Sequence, residues 1–144
     1  MKLFQVEVLD TLTNAVETIY ILGNTKRSAM NYVTDFKSDN DEVLSVKMTN
    51  KEFTKHYLNI LNFPDLGIYP ERRYDLHDEI QRLADIDKIS YHFALNKICS
   101  IFSRQYDLET EHDDINYKKI ETASTNLFFL RAMEGLDILR KTLL

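Results

Sequence analysis

From Leu3 to Leu9 the chain alternates between apolar and polar positions, with Leu3, Val6 and Val8 set against Gln5 and Glu7, which predicts a strand. Asp10-Thr11-Leu12-Thr13-Asn14 is turn chemistry, and the β-branched and aromatic run Ala15 to Leu22 predicts a second strand paired antiparallel with the first. Gly23-Asn24 stops it. Thr25 or Ser28 then caps a helix to about Phe36 with Ala29, Tyr32, Val33 and Phe36 on one face. Glu42 to Met48 alternates again and predicts a third strand. The fold class is therefore α+β, an N-terminal ββαβ unit with a small antiparallel sheet followed by a helical C-terminal part.

After Thr49 the period lengthens. Thr49 or Asn50 caps a helix through Leu61, and the segment Asn62 to Pro70 holds both prolines and one of the three glycines. The expected organisation is an α+β part over 1–62, a connecting loop over 63–74 and a helical part over 75–144, together one compact domain. Tyr74 or Asp75 opens a helix to about Leu83, and Asp85 or Asp87 caps the next, which runs to about Arg104. Its stripe of Tyr91, Ala94, Leu95, Ile98, Ile101 and Phe102 falls on one arc. Asp113 or Asp114 caps a terminal helix to about Thr142. Its Leu127-Phe128-Phe129-Leu130 run is apolar nearly all round and is expected to be buried on more than one side. Ala132 and Gly135 are expected to let another helix approach closely, offsetting the roughly 1 kcal/mol that glycine costs in a helix interior.

Composition narrows the function. Hydrophobic residues make up 44% of the 144 and charged residues 28%, which suits a globular core. The net charge of -5 comes with no basic patch; Arg72-Arg73 beside Glu71 is the densest basic cluster. That argues against direct binding of nucleic acid, whose phosphates demand one. Cys99 is the only cysteine, so no internal disulfide forms and a reducing compartment is expected. With neither a signal sequence nor a membrane span, the expected location is the cytoplasm.

Catalytic chemistry finds little footing. There is no GxSxG elbow and no glycine-rich phosphate loop. A zinc site would have to be assembled from separate segments, with His77 and His112 as its weak candidates, because no CxxC or HxxxH pair exists. His92 and Cys99 lie about 10 Å apart along one helix, too far to share an ion. No cofactor is expected, and the chain reads as non-enzymatic.

The strongest positive feature is acidic. Asp107, Glu109, Glu111, Asp113 and Asp114 fall within eight residues that include no lysine or arginine. An EF-hand loop would need a glycine in the sixth place, which this stretch lacks. Asp113 and Asp114 suit the start of a helix, whereas Glu109 and Glu111 need another reason. The sharper reading is a contact surface for a basic partner. A second candidate contact is Tyr69, Arg72, Arg73 and Tyr74, residue types that dominate interface hot spots. The plainer expectation there is that Ile68 and Tyr69 fold back to seal the junction between the two parts.

In profile the chain resembles small proteins of bacteriophages and mobile elements, with stretches such as Asn50-Lys51-Glu52 and Asn59-Ile60-Leu61-Asn62, and within them it is similar to the anti-CRISPR proteins. The acidic run Asp107 to Asp114, backed by Asp39, Asp41 and Glu42, carries the likeness. The resemblance implies an inhibitory binding protein that docks on a basic, nucleic-acid-handling partner. A type II CRISPR effector nuclease is the specific expectation, blocked by stoichiometric occlusion of nucleic-acid loading. The alternative is an immunity-type or antitoxin-type partner of a toxin, or a homodimeric assembly module using Leu127, Leu130 and Ile138 of the last helix.

Overall fold

The computed structural model describes residues 2–36, 38–109 and 115–143. It is an α+β protein in which a three-stranded antiparallel sheet is followed by helices. The elements are β1 (Lys2–Asp10), β2 (Ala15–Gly23), α1 (Lys26–Phe36), β3 (Asp41–Met48), α2 (Lys51–Leu61), a 3-10 turn (Pro70–Arg72), α3 (Arg73–Asp87), α4 (Tyr91–Glu109) and α5 (Ile115–Leu143). They form two compact units, Met1–Thr54 and Lys55–Leu144. The division falls inside α2, ahead of the loop that the prolines mark.

In the first unit β1 is the central strand, with β2 on one side and β3 on the other. β1 and β2 pair without interruption from Lys2↔Gly23 to Asp10↔Ala15. The tight turn between them uses Asn14 at φ 59°, and Leu12 N–H donates to Asp10 Oδ1 at 2.9 Å. Asparagine tolerates this left-handed backbone better than most residues. β3 pairs with β1 through a shift between Glu7 and Val8 that leaves Leu44 as an extra, exposed residue. Phe4, Val6 and Val8 of β1 and Ile19 and Ile21 of β2 share one face of the sheet by alternation and are buried. α1 packs on β2 and β3 and buries Ala29 and Val33. Thr25 and Ser28 cap it together: Ser28 N–H donates to Thr25 Oγ1 at 3.1 Å, and Thr25 N–H to Ser28 Oγ at 3.2 Å. On the other face of the sheet the Tyr20 ring stacks on Phe53, centroids 6.2 Å apart.

The second unit is helical. α4 packs against both α3 and α5, burying Leu76, Ile80 and Leu83 of α3, Ala94, Leu95, Ile98, Ile101 and Phe102 of α4, and Ile120, Ala123, Leu127 and Leu130 of α5. Tyr57 stacks nearly parallel on Phe102, centroids 4.7 Å apart. Among the described residues no helix is long and apolar enough to cross a membrane.

Three expectations are corrected here. α3 does not stop near Leu83 but runs to Asp87, so Asp85 and Asp87 close a helix and do not open one. Lys88, at φ 55° and ψ 45°, ends it, its N–H directed at the carbonyls of Ala84 and Asp85. Ser90 caps α4 by accepting from Phe93 N–H at 3.1 Å. Second, α4 extends past Arg104 to Glu109, so Asp107 and Glu109 have helical backbone and do not lie in a loop. Third, the Leu127–Leu130 turn is buried on one side only. Leu127 and Leu130 are core residues, whereas Phe128, Phe129 and Leu136 are exposed and a Cβ at Gly135 would meet nothing within 4 Å. Leu127 and Leu130 are thus not free to form an interface.

Candidate functional site

The chain between α2 and α3 is an exposed loop with a rigid frame. α2 gives out after Leu61, and Phe63 N–H still donates to Ile60 O at 3.2 Å. From there Asn126, buried on α5, takes hold of the loop from both ends of its amide. Its Oδ1 accepts from Leu66 N–H at 2.9 Å, and its Nδ2 donates to Pro64 O at 2.9 Å. Leu66 is buried beside this anchor.

Asp65 organises the next turn. Its Oδ1 accepts from Gly67 N–H at 2.8 Å, and its carbonyl accepts from the N–H groups of Ile68 and Tyr69 at 3.1 and 3.0 Å. A Cβ on Gly67 would sit 3.1 Å from that same carboxylate oxygen, so the turn leaves little room for a side chain there. The 3-10 turn starts at Pro70, whose fixed φ suits that place, and Arg72 N–H donates to Tyr69 O at 3.0 Å.

The side chains this frame presents are large. Ile68 is 68% exposed, Tyr69 49% and Tyr74 64%. Ile68 and Tyr69 are thus not packed into the core of their own unit. The two arginines are held in place. Arg72 donates to Asp75 Oδ2 at 2.8 Å and lies over the Phe63 ring at 5.2 Å. Arg73 lies over the Tyr74 ring at 4.5 Å and donates to Tyr74 Oη at 2.8 Å. Solvent screens such an exposed ion pair, but stacking and hydrogen bonding together restrict each guanidinium to few rotamers. A surface with little side-chain entropy left to lose is suited to binding.

The acidic stretch is described only in part. The backbone of Asp107 and Glu109 closes α4; Glu111, His112, Asp113 and Asp114 lie outside the described residues. The zinc pairing of His77 with His112 therefore also lies outside them. His77 itself packs its ring 4.3 Å from Tyr91. Among the described residues no three His, Cys, Asp or Glu side chains gather as a metal-holding group.

Two histidine contacts went unread in the sequence. His56, almost buried on α2, places Nδ1 2.6 Å from Glu79 Oε2, while Asn59 Nδ2 donates to Glu79 Oε1 at 3.3 Å. His92, in the first turn of α4, reaches α5, with Nδ1 3.2 Å from Glu134 Oε1 and Nε2 3.2 Å from Asn96 Nδ2. Nearby, burial pushes the Tyr91 hydroxyl well above its ordinary range, with Glu134 and then Cys99 adding to the effect. Burial also raises the Cys99 thiol, although Arg131 pulls the other way. Both groups are held in their neutral forms, so Cys99 is a poor nucleophile. No protein-family model, curated protein or solved structure matches this chain.

Proposed function

We propose that this chain is a non-enzymatic binding protein that acts by occupying the surface of a macromolecular partner. One observation carries the reading. Ile68 and Tyr69 stand exposed on a loop that Asn126 and Asp65 pin by hydrogen bonds, and Arg72 of the following 3-10 turn and Arg73 and Tyr74 of the first turn of α3 continue the same stretch. An unsupported loop would lose conformational entropy on binding, whereas this one has been ordered by folding. Tyrosine and arginine supply large contact area with a polar tip, and they concentrate binding energy at interfaces.

The five carboxylates from Asp107 to Asp114 favour a basic partner. With the resemblance to anti-CRISPR proteins, they make a type II CRISPR effector nuclease the partner of choice, inhibited by occlusion of nucleic-acid loading. This reading places the protein in the cytoplasm, where Cys99 remains a thiol, and calls for no cofactor.

The test is cleavage by a purified effector with this protein added before or after target DNA. Inhibition only when it is added first, reduced at least tenfold by Tyr69→Ala with Tyr74→Ala, is the expected result. Neutralising Asp107, Glu109, Glu111, Asp113 and Asp114 to their amides is expected to weaken inhibition and flatten its salt dependence. An effector that cleaves unimpeded in both orders removes the nuclease from consideration and brings forward the immunity-type or antitoxin-type reading.

A further inference from the structure

α5 carries an apolar face that its own unit leaves open. Phe128 is 74% exposed, Leu136 50% and Phe129 41%, and Ala132 is exposed between them. At 3.6 residues per turn, Phe128 and Gly135 share one bearing two turns apart, as do Phe129 and Leu136. Gly135 weakens the helix by roughly 1 kcal/mol relative to alanine. Among the described residues nothing compensates, because a Cβ added there would meet no atom within 4 Å. An exposed phenylalanine and an uncompensated notch on the same bearing are complementary in size.

We propose that the protein self-associates through this face, as an antiparallel two-fold pair in which Phe128 of each copy seats against Gly135 of the other. A two-fold axis beside Ala132 exchanges positions 128 and 135, so one contact occurs twice and the surface is its own complement. The same axis lets the two helices approach closest at Ala132, with Phe129 and Leu136 of each copy flanking the contact. Antiparallel alignment also opposes the two helix dipoles favourably.

Area sets the strength. Phe128, Phe129 and Leu136 together present roughly 300 Å² of exposed side chain, against about 800 Å² per partner in a standard stable interface. The pair is therefore concentration-dependent and not obligate. This inference is independent of the loop between α2 and α3, which lies on other elements.

Sedimentation velocity of the full chain from about 10 µM to about 1 mM is the test. The expected mass rises from 17.0 kDa towards twice that value. Phe128→Asp and Gly135→Leu are each expected to raise the dissociation constant at least tenfold, with helical circular dichroism unchanged. Both positions are exposed, so neither change disturbs the core. A mass fixed at that of one chain throughout overturns the proposal, as does a dimer that both variants leave intact.

Discussion

Asn126 holds Leu66 across sixty residues of sequence, its side-chain oxygen accepting from the Leu66 amide at 2.9 Å in a buried setting. The same amide donates to Pro64 O, so one side chain satisfies two backbone groups that leaving α2 would otherwise strand. Asn126→Ala should destabilise the protein by about 1–3 kcal/mol, because the Leu66 amide would be left buried without a partner and the half-buried Pro64 carbonyl would lose its donor. Urea denaturation checks the figure. Asn126→Asp should recover only part of it, since a carboxylate accepts from Leu66 but has no proton for Pro64.

The turn that ends α3 predicts a gain. Lys88 has a left-handed backbone that glycine adopts without a steric penalty. Lys88→Gly is expected to raise stability by roughly 0.5–1 kcal/mol. Asn14→Gly, at φ 59°, should change little, since asparagine already tolerates that region. Thermal melting of the two variants side by side tests the contrast.

His56 and Glu79 tie α2 to α3 within the second unit. The carboxylate uses both oxygens, one against His56 Nδ1 and one for Asn59 Nδ2. Glu79→Ala should cost about 1–3 kcal/mol, the range for stranding a buried polar partner. Asn59→Ala should cost less, because its bond is longer and exposed. Chemical denaturation midpoints of the two variants give the order.

Alkaline pH should weaken the fold. Tyr91 and Cys99 have raised pKa values, so the folded chain holds their protons more tightly than the unfolded chain does. Stability is then full below the unfolded values and falls as pH rises past 9 for the thiol and past 10 for the phenol. Tyr91→Phe should reduce the loss in melting temperature between pH 8 and pH 10.5 by a few degrees, roughly. Equal losses in both proteins would assign the effect to other groups.

Much of this fold was legible in the chain, for reasons that also mark where legibility ended. The strands announce themselves by alternation, and Thr25 with Ser28 and Asn50 mark helix starts through side-chain oxygens. The junction of α3 and α4 was misplaced because Lys88 turns the chain without glycine or proline, so no residue signals the stop. The Leu127–Leu130 run misled for another reason. Periodicity shows that apolar residues lie on two arcs of the helix, but not which arc the fold turns inward. Asn126 was invisible as an anchor, since its partners are backbone groups sixty residues away. The exposed tyrosines were named from the sequence, and their rigidity came only with the hydrogen bonds of Asp65 and Asn126.

The place of β1 between β2 and β3 has a consequence for how the sheet is built and lost. The strand nearest the start of the chain supplies both hydrogen-bonded ladders, so its partners hold no ladder with each other. While β3 is still being synthesised, β1 and β2 can exist only as a hairpin, a structure of marginal stability in water. The sheet thus matures when the later strand arrives on the far side of the earliest one. Proteolysis within Lys2–Asp10 would dismantle the whole sheet, whereas a cut that released β3 would leave the hairpin.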